Sequence, residues 1–462
     1  MNLILICIDT LRKDHIGSFG NPWIRTPNLD KFFKQSIVFD RFRPNAIPTI
    51  PLRRGLMLGR PVYPYVDDSK FPFGPMGWQP MGQAEITLAE TLKNAGYVTS
   101  MVVDPWHYFF PGMNFHKGFH TWEFIRGQEG DPIQLGPTHQ DPKEFFDEKM
   151  SGSYFQNFYE QFVRNVDARK VEEDHFAPRL FTAAEKWLHV NAHYYDKFFL
   201  YIDCFDPHEP WDPPEFYADL YDPGYKGKKY IFPETGPCDH MTESEIKHVR
   251  ARYAGKVTMV DRWFGHFMEK FELMGLDKDT MVLVFSDHGI LLGEHGLMKK
   301  KNSFLYSELL DIPMMLRIPG GPIKEKRLNG LVHEGDFAPT FLRQMGVDLP
   351  ESMTGLDFWP LITGEKETLR DYAIGGFGDW AYVQDEHYHY FRGLTGKTEA
   401  HLYDIQTDPA MKRNLCEERS DVVKVMEEKM TEGLKGWSPP DNLIDGRLPQ
   451  PSYSPLPLKS DS

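Results

Sequence analysis

The 462-residue chain contains few cysteines, and their positions form no pattern. Cys7, Cys204, Cys238 and Cys416 are separated by long intervals, without a CxxC pair or a zinc-type spacing. Regular short spacings are what a structural zinc site or a compact disulfide framework requires. We therefore expect four reduced thiols.

The chain also lacks a long apolar run and an excess of positive charge. No stretch of about 18 apolar residues occurs, which argues against a transmembrane helix. Met1 leads directly into the apolar run NLILICID, without a basic segment or a cleavage site, so we expect a cytoplasmic protein. The net charge of −15 argues against nucleic acid or an anionic membrane surface as partner. An anionic substrate would have to be attracted by local positive charge.

Apolar residues make up 41% of the chain, which is ample for a large core. Its length exceeds the size at which a single core keeps growing, so one large domain and a smaller one are expected. The runs NLILICI, YVTSMVV and TMVLVF are short and uninterrupted, as in strands that are buried on both faces of a parallel sheet. Helical patterns lie between them, which indicates an α/β fold.

The segment NAIPTIPLRRGLMLGR at residues 45–60 predicts a hydroxyl group at the start of a short helix. Pro51 suits the first turn and Gly59 suits the end, so Thr49 falls at the N-cap position. Backbone N–H groups and the helix dipole favour an anion there, and Arg53 adds a cation. The alternative interpretation is that Thr49 simply caps the helix.

This segment resembles the signature of the sulfatases, a family of the alkaline phosphatase superfamily. The signature is a thiol or hydroxyl residue, any residue, Pro, any residue and Arg, followed by a glycine six residues after the Arg. The stretches IDTLRKDHIGSFG, TPNLD, DPHEPW, SDHGILLGEHG and LYDIQTDP also occur in the family's order. The resemblance therefore covers nearly the whole chain.

The resemblance implies a fold and a domain division. The fold is alkaline phosphatase-like, with a large, mostly parallel central sheet flanked by helices and a small C-terminal α+β subdomain. We expect the catalytic domain at residues 1–365, the subdomain at 366–446 and a Pro-rich tail at 447–462. Residues 124–174 are expected to be a substrate-side insertion, either a surface loop or a mobile lid. The tail is expected to be either a disordered end or an arm that joins copies of the chain in a homo-oligomer.

The resemblance also implies the site. By position, one divalent metal ion would be held by Asp9, Thr49, Asp287 and His288. A histidine ligand favours Mn²⁺ or Zn²⁺ over Ca²⁺ or Mg²⁺, and we find no residues for a second metal. The other implied catalytic residues are Arg53, His107, His208 and Lys300.

Several residues depart from the family's pattern. Sulfatases carry a cysteine or serine that is oxidised to formylglycine, whereas Thr49 would give a ketone. Thr10 replaces a second aspartate, and Pro105 replaces the lysine of a Gly-Lys-Trp-His segment. Asp104, in the same segment, favours a substrate of low charge unless its side chain points into the structure or binds the metal.

These features predict a hydrolase of phosphodiesters or phosphonate monoesters, with a small anionic ester as its partner. The alkoxide of Thr49 would attack phosphorus while Arg53 and Lys300 stabilise charge on the oxygens. Either His208 or His107 would protonate the leaving alcohol, and water would then release the phosphothreonine. A sulfatase that works without formylglycine and a non-catalytic binding protein are the alternatives.

Overall fold

The computed structural model describes residues 1–66, 74–141, 144–146, 154–319, 326–396, 398–440 and 447–448. The expected Pro-rich tail lies outside these residues except for 447–448, and so does part of the insertion at 124–174. The expectations for the tail therefore stay predictions.

Strands and helices are interspersed along the first two thirds of the chain. In chain order, the strands are β1 (Asn2–Ile8), β2 (Ile37–Phe39), β3 (Ala46–Ile47), β4 (Gly74–Pro75), β5 (Val98–Val103), β6 (Thr121–Phe124), β7 (Phe198–Cys204), β8 (Gly236–Pro237), β9 (Thr280–Phe285), β10 (Leu291–Leu292), β11 (Leu297–Lys299), β12 (Met314–Arg317), β13 (Lys326–Leu328), β14 (Ala373–Phe377), β15 (Trp380–Gln384), β16 (Tyr388–Gly393), β17 (His401–Asp404) and β18 (Arg447–Leu448). The α-helices are α1 (Pro27–Lys34), α2 (Ile50–Leu58), α3 (Leu88–Asn94), α4 (Tyr154–Val166), α5 (Phe176–Asn191), α6 (Glu215–Ala218), α7 (Glu243–Leu273), α8 (Ser307–Leu310), α9 (Phe337–Gln344), α10 (Trp359–Thr363) and α11 (Ser420–Leu434).

The central sheet has eight strands in the order β13-β2-β12-β9-β1-β7-β5-β6. The run from β9 to β6 is parallel, and β12 is antiparallel to both of its neighbours. This large, mostly parallel sheet confirms the predicted α/β fold class. All seven residues of β1 are buried because the strand lies in the middle of the sheet.

Helices cover both faces of the sheet, so each face has its own apolar core. Ile4, Ile6 and Ile8 of β1 point into a core shared with α1, α5 and α7. Leu3 and Leu5 alternate with them and face the core of α2, α3 and α9. The period-2 alternation of strand side chains divides one continuous apolar run between the two cores.

A second sheet of five strands has the order β17-β16-β15-β14-β3, and α11 packs against it. Its first four strands come from the C-terminal part of the chain, as expected for the small subdomain. The fifth strand, β3, lies just before Thr49 and pairs in parallel with β14. The C-terminal part therefore braces the segment that carries Thr49, and the domain boundary at residue 365 stays a prediction.

The longest helix, α7, has 31 residues and carries charged side chains along its length. Among the described residues, no helix combines the length and the apolar character that crossing a membrane requires. The predicted cytoplasmic location stays an expectation.

Candidate active site

Three aspartates meet where neighbouring parallel strands end. Asp9 follows β1, Asp287 lies two residues beyond β9, and Asp203 is near the end of β7, in register with Cys7. All three carboxylates are buried. Adjacent parallel strands bring their carboxyl ends to one edge of the sheet, which is where open α/β folds place their sites.

Arg53 of helix α2 binds all three carboxylates. Its Nε and Nη2 each donate to Asp203 at 2.8 Å, and Nη2 also donates to Asp9 at 2.8 Å. Its Nη1 donates to Asp287 and, at 3.2 Å, to the carbonyl oxygen of Thr49. A guanidinium has five N–H donors, so protein groups occupy all of them. The predicted contact of Arg53 with substrate stays a prediction, and the contacts seen here organise the carboxylates.

His288 completes a group that fits a divalent cation. Its Nδ1 lies 2.8 Å from the carbonyl oxygen of Gly289, so Nδ1 carries the proton and donates it, which leaves a lone pair on Nε2. That Nε2 is buried without a hydrogen-bond partner among the described residues, 3.5 Å from Asp287 and 3.8 Å from Asp9. A lone pair that faces two carboxylates needs a positive charge between them. Ligand atoms of these three residues lie within 4.8 Å of one another.

The protonation states at this group are consistent with a cation site. Burial lowers the pKa of His288 to about 4, so its imidazole is neutral near pH 7, as a metal ligand must be. Burial, together with the neighbouring Asp287 carboxylate, raises the pKa of Asp9 well above its usual value. A bound cation would favour loss of that proton, so we expect metal affinity to increase with pH.

Thr49 lies at the N-cap of α2, as predicted, but its side chain makes no capping hydrogen bond. Its backbone has φ 43° and ψ −91°, a left-handed conformation that a β-branched residue adopts only under strain. Gly59 ends the helix with φ 59°. The hydroxyl is not used for capping, so the interpretation of Thr49 as a simple helix cap is wrong. Its predicted contact with the metal stays a prediction.

His208 and Lys300 lie together beside the cation group. The ring centroids of His208 and His288 are 6.3 Å apart. Lys300 Nζ lies 2.7 Å from Nε2 of His208 and 3.1 Å from Oε1 of Glu209. An ammonium can only donate, so Nε2 of His208 must accept, while Nδ1 donates to the carbonyl oxygen of Glu209 at 2.6 Å. Burial lowers the pKa of His208 to about 3, which also makes the ring neutral.

His107 binds the carboxylate of Glu129, which also lies near His208. Its Nε2 lies 3.2 Å from Oε2 of Glu129, which also accepts from Nε1 of Trp106 at 3.2 Å. The second oxygen of Glu129 lies 3.7 Å from Nδ1 of His208. Burial raises the pKa of Glu129, but the hydrogen bond from His107 and the nearby His208 outweigh it and lower the pKa below its usual value. The ionised carboxylate of Glu129 therefore lies between His107 and His208, the two residues predicted to protonate the leaving alcohol.

Asp104 points into the structure. One oxygen accepts from the backbone N–H of Phe205 at 2.6 Å, and the other accepts from Nε2 of Gln128 at 3.1 Å. Burial and the nearby Asp206 raise the pKa of Asp104 well above its usual value. Asp104, which follows β5, joins the residue after β7 to the loop after β6, so its side chain does not indicate a substrate of low charge.

Three site residues have no role in the sequence-based prediction, namely Asp203, Glu209 and Glu129. Glu209 follows His208 in the PHEPW segment, so its position in the motif could have identified it as a site residue. Asp203 is an acidic residue inside an apolar strand, which is a weaker signal. Glu129 lies in the irregular region 124–174, where no pattern distinguishes it.

Comparison with known proteins places the chain among ester hydrolases. The family model described as Sulfatase matches residues 1–347, and the model described as N-sulphoglucosamine sulphohydrolase, C-terminal matches residues 293–436. An arylsulfatase of Clostridium perfringens is 25% identical, covering 96% of this chain and 97% of that protein. The multifunctional alkaline phosphatase superfamily protein PehA of Trinickia caryophylli is 22% identical, and the match covers 79% of this chain and 77% of that protein. The crystal structure of a phosphonate monoester hydrolase of Agrobacterium radiobacter superposes on this chain with a TM-score of 0.73 at 19% sequence identity. The superposition covers 94% of this chain and 95% of that one.

Proposed function

The chain belongs to the sulfatase family of ester hydrolases, and we propose that within this family it hydrolyses phosphodiesters or phosphonate monoesters through Thr49. The observation that carries the proposal is the placement of Thr49. Its carbonyl oxygen binds the same guanidinium that binds Asp9 and Asp287, and its hydroxyl makes no capping bond. A strained hydroxyl residue beside a cation-binding group is suited to nucleophilic attack.

The chemistry of threonine favours phosphorus over sulfur. A formylglycine hydrate has two hydroxyls on one carbon, so the second hydroxyl can expel sulfate as the aldehyde forms again. Thr49 has a single hydroxyl, so release of the acid group requires water to attack the phosphorus or sulfur atom of the intermediate directly. The similarity in fold to a phosphonate monoester hydrolase is in keeping with a phosphorus acid group as the group transferred.

Three residues act directly in the proposed hydrolysis. Thr49 attacks, and the N-terminus of α2 stabilises its negative charge. Lys300 donates to His208 and to both carboxylate oxygens of Glu209, so it would exchange one of the bonds to Glu209 for an oxygen of the transferred group. Arg53 holds the carboxylates and the Thr49 carbonyl in fixed positions.

Asp9, Asp287 and His288 would hold the cation, with Mn²⁺ or Zn²⁺ proposed because an imidazole suits these ions. When bound, the cation would supply the positive charge that makes an alkoxide accessible near neutral pH. Asp9 and Asp287 would exchange part of their bonding to Arg53 for bonding to the metal.

The cation requirement gives a direct prediction for His288. Replacing His288 with alanine should weaken Mn²⁺ or Zn²⁺ binding by at least the ~10-fold that loss of a supporting group typically costs. Isothermal titration calorimetry on chelator-treated protein measures this affinity. His139→Ala, at a histidine whose side chain is 93% exposed, is the matched control and should bind as the wild type does. Equal affinity in His288→Ala and wild type would rule out the assigned ligand.

The alternative is a sulfatase that works with an unmodified threonine. The identity to the arylsulfatase of Clostridium perfringens over almost the full length of both chains favours it. The two alternatives share the nucleophile and the cation group and differ only in the acid group transferred. A substrate comparison therefore distinguishes them.

A panel of aryl esters tests the proposed function. With Mn²⁺ or Zn²⁺ added, we expect kcat/KM for bis-aryl phosphates or aryl phosphonates to exceed that for aryl sulfates by about 100-fold, a difference of ~2.7 kcal/mol. The same leaving group is used throughout, so only the acid group varies. A clear preference for the sulfate would establish the alternative, and inactivity of the metal-loaded protein on the whole panel would favour the non-catalytic interpretation.

A further inference from the structure

His208 and His107 differ in the hydrogen bonds that their ring nitrogens make. His208 has no proton to give from Nε2, because that atom accepts from Lys300 at 2.7 Å. Its Nδ1–H is directed to the carbonyl oxygen of Glu209. Both ring nitrogens of His208 are therefore engaged within the protein, and the ring serves to orient Lys300.

His107 has the complementary arrangement. Its Nε2 faces the carboxylate of Glu129, so Nε2 carries a proton in both charge states of the ring. Its Nδ1 is buried and has no hydrogen-bond partner among the described residues. Nδ1 is thus the atom at which this ring can gain and lose a proton.

Glu129 is held firmly enough to orient a catalytic ring. Nδ2 of Asn165, on helix α4, lies 3.0 Å from the carbonyl oxygen of Gly127, 3.4 Å from that of Glu129 and 2.8 Å from that of Asp131. The backbone of Glu129 has φ 47°, a strained conformation for a residue with a side chain, of a kind that is concentrated at functional sites. The insertion therefore supplies a fixed, buried carboxylate.

We propose that Glu129 is a positioning residue and that His107, held by it, is the acid that protonates the leaving group. This inference rests on the proposed function, in that it assumes hydrolysis at this site. The imidazolium of His107 gives its Nδ1 proton to the leaving oxygen as the bond from that oxygen to phosphorus breaks and the bond from Thr49 forms. In the second step, neutral Nδ1 takes a proton from the attacking water, and Thr49 leaves as the alkoxide. The ring and the nucleophile return to their starting states.

The test uses leaving groups of different basicity. The substrates are aryl esters of whichever acid group the wild type hydrolyses, with 4-nitrophenol and phenol as leaving groups. A good leaving group needs no proton, whereas a poor one does. We expect Glu129→Gln to lower kcat/KM at least about 30-fold for the phenyl ester and less than about threefold for the 4-nitrophenyl ester.

Glutamine keeps the shape and a hydrogen-bond acceptor, so a merely structural role of Glu129 would affect both substrates equally. His107→Asn should show the same selective loss, and the double variant should be no worse than His107→Asn alone, because the two residues act as a pair. If Glu129→Gln does not fold, the His107→Asn comparison carries the test. Glu123→Gln, at an exposed position of β6, is the control and should match the wild type on both esters.

The outcomes separate the two hypotheses. Selective loss on the phenyl ester supports the pair. An equal loss on both esters, or no loss, overturns the pair and leaves the proposed function standing. If the metal-loaded wild type hydrolyses neither ester of any acid group, the proposed function and the pair both fail.

Discussion

Replacing Thr49 with valine should reduce kcat by at least about 10³-fold, because removal of a nucleophile typically costs more than this. Valine has nearly the shape of threonine and the same branching at Cβ, so the backbone strain at φ 43° is unchanged. The hydroxyl makes no capping bond, so its loss should have little effect on helix α2. A large loss of activity without loss of stability would identify the hydroxyl as a reacting group.

The measurement pairs steady-state kinetics with thermal unfolding of the same preparations. Thr49→Ser keeps the oxygen and serves as the control, with intact mass confirming that the serine is unmodified. Mass spectrometry of rapidly quenched wild-type enzyme should find the acid group on Thr49 during turnover. Undiminished turnover in Thr49→Val would end the assignment of Thr49 as the nucleophile.

Replacing Arg53 with methionine should produce the largest loss of stability in the molecule's central site. The guanidinium is fully buried and binds three buried carboxyl groups, at Asp9, Asp203 and Asp287. Removing one partner of a buried ion pair typically costs ~3–5 kcal/mol, because the remaining charge is left without compensation. Here three buried carboxyl groups lose their hydrogen-bond partner at once, so we expect at least that loss in the free energy of unfolding.

Chemical denaturation of the metal-free protein measures this change. Arg413→Met, which removes an exposed ion pair with Glu418, is the control and should cost no more than the ~1 kcal/mol typical of surface pairs. Adding Mn²⁺ or Zn²⁺ should recover part of the loss in Arg53→Met, since the cation would compensate Asp9 and Asp287 but not Asp203. Equal stability of Arg53→Met and wild type would show that the carboxylates do not depend on Arg53.

Much of the site could be predicted because it follows strands and motifs that are local in sequence. Asp9 directly follows an apolar run, and Asp287 and His288 follow another, so their meeting at one edge of a parallel sheet needs only the fold class. Thr49 could be placed at a helix N-terminus from Pro51 and Gly59 alone. These predictions depend on short-range patterns, which a single sequence contains in full.

The direction of each side chain could not be predicted in this way. No short-range pattern indicates that the five N–H groups of Arg53 contact protein groups, and its predicted contact with the substrate stays a prediction. The sequence leaves open whether Asp104 faces the substrate or points into the structure, and its contacts with Phe205 and Gln128 show that it points into the structure. Whether a buried polar group faces a ligand or another part of the protein depends on contacts between segments far apart in the chain.

By itself, the sequence determined the family, the α/β fold class and the absence of a formylglycine precursor, because these follow from residue identity and short-range order. Only the tertiary structure decided that Asp203 joins the carboxylate cluster, that His208 accepts from Lys300 and that Glu129 binds His107. The reason is that buried charges must find their partners across the whole chain. Those partners come from different strands and from an irregular loop, and only the packed fold brings them within hydrogen-bonding distance.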